Sequence, residues 1–535
     1  MSKSSPLPPP LAINPPACAA QPDRLRRGLL QAALLAGSAP LFIRHALAAS
    51  AADVERFGLG VASGSPRPDG LVLWTRLSGA GLPEAAEVSW ELAEDEGFTK
   101  IVARGREQAL AADAHSVHAE PAGLAPDRWY WYRFSALGQR SPVGRTRTAP
   151  AAGAAVAQLR FAIASCQRWD HGLYTAWGDM ARQELDLVLF LGDYIYEYAP
   201  PASAKADAPN RRQHQGGKCR TLDDYRQRYA QYKSDPNLQA MHARAPWILT
   251  WDDHEIDNDW AGNVSQDLEP HFEIRRAAAA KAYWEHQPFP KALRPQGYEM
   301  RLNTHYDWGS LARILMLDDR QFRDSQVCPK PGKGGSNTVA LADCPDFLDP
   351  RRTLLGTAQE QWLARTWDRT RPWNLLGQQT LMARMNWQDK PDASPVYWTD
   401  GWDGYPAARR RLLDDLAARK PANTVVLGGD VHANYVADLR ADFDKPDSAV
   451  LATEFCGTSI SSHGMEQARI ERALPHNPHI RYGHSDQHGY MCFELKPGQL
   501  NAELRSVREM WQPDSPVDVS ARFAVEAGRP GAQKL

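Results

Sequence analysis

Residues 187–198 read LVLFLGDYIYEY. An unbroken apolar run from Leu187 to Leu191 stops at Gly192 and Asp193, and two tyrosines and a second acid follow at once. A run this short and this apolar suits a strand buried on both faces, as in a parallel sheet. The question is why such a strand delivers a carboxylate and a phenol together at its C-terminal end.

The same pattern recurs. LRFAIASC ends in Cys166, and APWILTWDDHE ends in Asp252, Asp253 and His254. ARILMLDDR ends in Asp318, Asp319 and Arg320, and NTVVLGGDVH ends in Asp430 and His432. Long helical stretches such as RRAAAAKAYWEHQ and TAQEQWLARTWDRT alternate with these runs, which predicts an α/β domain. In an open α/β sheet the strand ends share one rim, where ligands bind. Any one of these residues has a bland explanation. A strand-end Asp is usually a turn or cap residue, a lone Cys a small buried hydrophobe, a lone Tyr packing, a lone His a satisfied structural group. Five segments ending this way point to one site. Carboxylates converging there repel one another unless cations neutralise them, so a metal centre is expected. Thiolate, phenolate and carboxylate together suit iron(III), and the remaining acids suit calcium or manganese.

Upstream, residues 57–150 read as short alternating strands with Gly and Pro turns, and LAPDRWYWYRF sets Tyr130 like the tyrosine corner of immunoglobulin-like sandwiches. TAPAAGAAVAQ marks a linker near residue 153. The chain has 535 residues, too many for one ordinary domain. Its net charge of −2 with scattered Lys and Arg leaves no nucleic-acid footprint. RLRRGLLQAALLAGSAPLFIRHALA, with Arg26 and Arg27 and an Ala46–Leu47–Ala48 site, reads as a cleaved twin-arginine-type signal over residues 1–48. That predicts a periplasmic or secreted protein handled by the twin-arginine export machinery, and no other stretch has the ~20 apolar residues of a membrane span. Of seven cysteines, Cys18 falls in the signal, and an oxidising compartment allows Cys328 and Cys344 to pair without proving it. Residues 199–221 and 328–346 read as surface loops or lids.

GLGVASGSPRPDGLVLWTRL, ASCQ, LGDYIYEY, DDYRQRYAQYKSDPNLQAMHARAPWILTWDDHE, MLDDRQFR and GGDVHANYVADL resemble the alkaline phosphatase D (PhoD-like) family, from about residue 57 to about 510. The resemblance implies an immunoglobulin/fibronectin-III-like β-sandwich over 53–150 and an αββα metallophosphoesterase-like domain over 158–510. It implies iron(III) with calcium, and hydrolysis of phosphate esters. Carried over by motif, Cys166, Asp193 and Tyr196 would hold iron, and Asp253, Asp430 and His432 would complete the metal ligands. Residues 511–535 would be a C-terminal tail able to cover the site. Family members often have Asp where Ser65 stands here.

The expected chemistry is attack by metal-bound hydroxide, with His254 protonating the leaving alkoxide and Arg320 contacting phosphate through its planar fork. For Arg320 the alternative is pairing with Asp318 or Asp319. No G-x-S-x-G elbow and no P-loop is present, and GTSISSHG at 457–464 reads as a loop lining the site. The rival from another class is a secreted, metal-containing binding protein without turnover.

Overall fold

A computed structural model describes residues 54–200, 211–388, 390 and 393–535. The signal reading of residues 1–48, with Cys18, lies outside the described residues. Among the described residues no helix is long and apolar enough to cross a membrane.

All five apolar runs are strands: Leu159–Ala164, Leu187–Phe190, Trp247–Leu249, Ala312–Met316 and Thr424–Gly428. They do not line one rim, however. The first three run parallel and adjacent in a ten-stranded sheet. The last two lie in a seven-stranded sheet, parallel to Trp373–Gly377 between them and to Val450–Cys456 beyond. The reason is apolarity on both strand faces. Leu159, Phe161, Ile163, Leu187 and Leu189 turn inward against Ile314, Leu375, Val425 and Phe455 of the other sheet, and all are buried. Burying each such side chain contributes about 1.5–3 kcal/mol.

The outer faces are covered by helices. Thr175–Met180, Leu222–Lys233, Pro236–His242 and Phe272–His286 put Trp177, Tyr229, Met241 and Tyr283 onto the ten-stranded sheet. Gly356–Thr366, Pro406–Arg419 and Gln467–Ala473 put Leu363, Leu413 and Ile470 onto the other. Local chemistry fixes where these helices begin. Thr221 and Asp224 form a reciprocal capping box, and Asp235 caps the next helix ahead of Pro236. The layers therefore run helix, sheet, sheet, helix.

The N-terminal strands divide between two sheets. Ala85–Ala93, Ile101–Leu110 and Trp129–Ala136 form a separate small sheet with Gln139–Arg140 and Gly144–Arg147. Val61–Arg67, Gly70–Arg76 and Ser116–Ala119 instead extend the ten-stranded sheet, through parallel pairing of Gly64 with Trp247. Val61, Leu73 and Val117 share one core with Val88, Tyr132 and Phe134 of the small sheet. Tyr130 hydroxyl accepts from Ala125 N at 3.0 Å and lies 3.3 Å from Ala125 O, the back-bond expected of a tyrosine corner.

The C-terminal expectation needs correcting. Val517–Glu526 and Arg529–Lys534 are the last two strands of the ten-stranded sheet, not a lid. Ala521, Phe523 and Val525 point to one face of the strand and join the core. Only the turn at 508–516 reaches toward the site end, where Met510 O accepts from Leu173 N at 2.8 Å. Cys328 and Cys344 form a disulfide.

Candidate metal centre and active site

The strand ends of both sheets meet, and tight turns there aim the side chains. Cys166, Asp193, Asp430 and His432 all have positive φ, between 52° and 64°. Non-glycine residues held this way cost about 1–3 kcal/mol each, and such strain gathers at functional sites. Gly192, at φ 110°, has no alternative: a Cβ there would fall 2.3 Å from Asp252 Cβ. The close approach of two strand ends requires glycine.

Glu255 ties the turns together. Its carboxylate accepts from the backbone N–H groups of Asp193, Tyr194 and Asp252, at 3.0, 2.6 and 2.8 Å. Gln379, following Trp373–Gly377, bridges the sheets by donating to Thr250 Oγ1, Trp251 O and Leu317 O.

Cys166, Asp193 and His432 bring possible ligand atoms within 4.8 Å of one another, and so do Asp193, Asp252, Asp253 and Asp430. Asp193 and Asp253 also group with His254. Tyr196 hydroxyl donates to Asp193 Oδ2 at 2.7 Å, lies 3.1 Å from His432 Nε2, and is 2.7 Å from Ser462 Oγ. His432 Nδ1 donates to His463 O at 2.8 Å, which leaves the Nε2 lone pair facing Tyr196. The 457–464 loop thus does line the site. The residues expected at the metal centre gather around Asp193, with Cys166, Tyr196 and Asp253 buried and Asp430 and His432 partly exposed.

Electrostatics argue that this group takes cations. Burial, then the neighbouring Asp193 and Asp430, push the Cys166 thiol up, and burial followed by Asp193 does the same to the Tyr196 phenol. Asp252 and Asp193 are raised, mainly by burial, and Asp430 is pushed up to about 6. Asp252 Oδ2, Asp253 Oδ1 and Asp430 Oδ2 are buried without hydrogen-bond partners. A cation among them offsets the burial cost and favours thiolate, phenolate and carboxylate, the forms that bind metal.

His254 sits beside the group. Its Nδ1 is 2.8 Å from Glu197 Oε2, and its ring stacks on Tyr196 with centroids 4.1 Å apart. Burial alone would lower its pKa, but Asp253, Asp193 and Glu197 together raise it well above the ordinary value. Glu197 is the second acid of the opening stretch, four residues after Asp193, and its place is now explained.

Arg320 is not offered to a ligand. It is 1% exposed, its Nε and Nη1 are paired with Asp252 and Asp400, and Nη2 lies 3.4 Å from Asp430 Oδ2. Neither the phosphate contact nor the Asp318 or Asp319 pairing describes it. Asp318 instead accepts from the backbone N–H groups of Arg320 and Gln321. Asp400 and Asp259 form a further acidic group with Asp253, but Arg320, Arg323 and Gln326 engage Asp400, while Ser336 satisfies Asp259.

The site opens into a cavity of about 370 Å³ lined by Asp253, His254, Asp430 and His432 and by several aromatic side chains. Buried carboxylates, thiol, phenol and imidazoles at one end of a cavity can hold metal, bind an anion through it and pass a proton.

Comparison with known proteins gives matches of three kinds. A family model described as PhoD-like phosphatase matches residues 161–504, and one described as PhoD-like phosphatase, N-terminal domain, matches residues 44–150. Alkaline phosphatase D of Bacillus subtilis (strain 168) is 44% identical over 492 residues, covering 90% of this chain and 82% of that protein. A solved structure described as "Structure of PhoD" has a TM-score of 0.85 and 42% identity, covering 90% of this chain and 92% of that one.

Proposed function

The chain belongs to the PhoD-like phosphatase family and is a phosphoric ester hydrolase; from that premise we propose how its site works and where. Family membership decides against the binding protein without turnover. The observation that carries the mechanism is the convergence of Cys166, Tyr196, Asp253, Asp430 and His432 around Asp193, beside His254.

Iron(III) fits Cys166, Asp193 and Tyr196 with His432, and calcium, or manganese in its place, fits the carboxylates of Asp193, Asp252, Asp253 and Asp430. When bound, such cations supply Lewis acidity, activating water and neutralising charge on the phosphoryl group. The chain's own residues do the rest. Glu197 holds the His254 ring by Nδ1, so Nε2 carries the proton that the leaving alkoxide takes. The carboxylates around His254 keep it charged more strongly than a general acid needs, and cations held by Asp193 and Asp253 would draw its pKa back toward neutral. Ser462 and His432 orient Tyr196, and Arg320 offsets part of the carboxylate charge from behind.

Turnover of a chromogenic phosphate monoester and its diester counterpart, before and after chelation, tests this. Both activities are expected to vanish with the metals and return on adding iron and calcium, with their ratio giving the preferred ester. Turnover that persists in metal-free protein would sink the mechanism.

We also propose export by the twin-arginine route to the periplasm or beyond, on the strength of Arg26 and Arg27 ahead of an apolar stretch and a small-residue site. Replacing both with Lys should keep the protein inside the cell, measured by fractionation. Normal export of that variant would reject the route. The same reading takes 53–150 as an immunoglobulin/fibronectin-III-like module, supported by the Tyr130 back-bond. Replacing Tyr130 by Phe should lower the melting temperature if that corner anchors the module, and an unmoved value would count against it.

A further inference from the structure

The cavity beside the metal group is chemically divided. Its floor is polar, formed by Asp253, His254, Asp430 and His432. Its remaining lining is mixed, but Trp387, Trp398, Met385, Met465 and Leu381 give it a large apolar share beside Asn258, Asp259, Thr338 and Asp403. Trp387 and Met465 are half-buried and packed on the hydrophobic core beneath, so their remaining surface faces the cavity as a fixed wall. Metals and a phosphoryl group need none of this apolar surface. It is surplus to the reaction and continuous with it.

Arg469 adds a second oddity. It lies on the Gln467–Ala473 helix, is exposed, and its guanidinium stands 4.8 Å from the Trp387 ring centroid. Among the described residues it has no carboxylate partner. The indole face holds the guanidinium in place, and its planar edge stays available for an anion.

We propose that this cavity is the leaving-group subsite, and that it selects esters whose alcohol has a flat apolar body ending in a second negative charge. Trp387 and Trp398 take the body, and Arg469 takes the charge. The proposal rests on the hydrolase reading and deepens it. It places the scissile oxygen near His254 on the cavity floor, with the alcohol extending along the wall. Flat groups gain there because aromatic contacts add to plain burial.

The experiment uses the metal-loaded enzyme with phenyl phosphate, 4-carboxyphenyl phosphate and glycerol 1-phosphate. Trp387→Ala is expected to lower the phenyl-to-glycerol ratio of kcat/KM by about tenfold, through KM. Arg469→Met keeps the side-chain bulk and is expected to lower the carboxyphenyl-to-phenyl ratio by about five- to tenfold. Comparing each variant with wild type on the same ester cancels differences in leaving-group reactivity. An unchanged phenyl-to-glycerol ratio in Trp387→Ala would overturn the subsite, since a wall that only props up the site slows both esters alike. An unchanged carboxyphenyl-to-phenyl ratio in Arg469→Met would overturn the anion contact. Wild-type enzyme that holds its metals and turns over none of the three would reject the hydrolase mechanism itself, a different failure from either ratio.

Discussion

His254→Ala is expected to lower kcat/KM for a phosphate ester by about 10²- to 10⁴-fold, the usual weight of a positioned general acid. The size of the loss should depend on the alcohol. An alkyl leaving group needs its proton in the transition state, whereas a nitrophenolate leaves well without one. The variant should therefore be hit much harder on glycerol 1-phosphate than on 4-nitrophenyl phosphate. Metal analysis and circular dichroism should stay close to wild type, because Nδ1 is spent on Glu197 and the Cys166–Asp193–His432 and four-carboxylate groups do not need the ring. His254 also groups with Asp193 and Asp253, so metal content is the readout that separates acid from ligand. Equal losses on both esters, or metals lost in step with activity, would make His254 a ligand and not the acid. Glu197→Gln should reproduce a weaker form of the same leaving-group dependence, since it frees the ring without removing it.

Arg320→Met tests the opposite kind of residue, one whose expected effect is on the fold. Its guanidinium lies among Asp252 and Asp400, both buried, and the partly buried Asp430. Removing one partner of a buried ion pair costs about 3–5 kcal/mol, because the remaining charges stay desolvated. Chelated protein should therefore unfold at distinctly lower denaturant than chelated wild type. Added calcium should recover part of the loss, because an ion bound only by the native state stabilises it by mass action and brings back positive charge. Unchanged stability with a raised KM would restore the phosphate-contact reading that the sequence suggested and the burial of Arg320 argues against.

The strands were legible because buried parallel strands must be apolar on both faces, and that leaves an unbroken run with an abrupt polar end. LGDYIYEY, WDDHE and GGDVH therefore announced residues that the structure brings together. What remained hidden was anything without such a run before it. Asp400 follows the short strand Val396–Trp398, and Asp259 sits in a loop, so neither had a local signal. Glu255 and Gln379 bind backbone groups of neighbouring strands, a role that depends on which strands are neighbours. The runs could not say that they belong to two stacked sheets, since a strand covered by helix and a strand covered by sheet need the same apolar residues. The C-terminal strand is a different case. VDVSARF alternates apolar and polar over residues 517–523 before Ala524 breaks the pattern, and that period of two was there to be read.

The pairing of Gly64 with Trp247 reaches beyond architecture. Sequence composition draws a border near residue 153, yet the hydrogen-bond network crosses it. Trp74 Nε1, on one side, donates to Glu285 O on the other at 3.0 Å. Residues 56–535 accordingly cluster as one compact unit. The strand carrying Asp252, Asp253 and His254 would become a raw sheet edge if the first hundred residues were cut away. A protease nicking the linker should therefore leave the two parts associated through that pairing and that hydrogen bond.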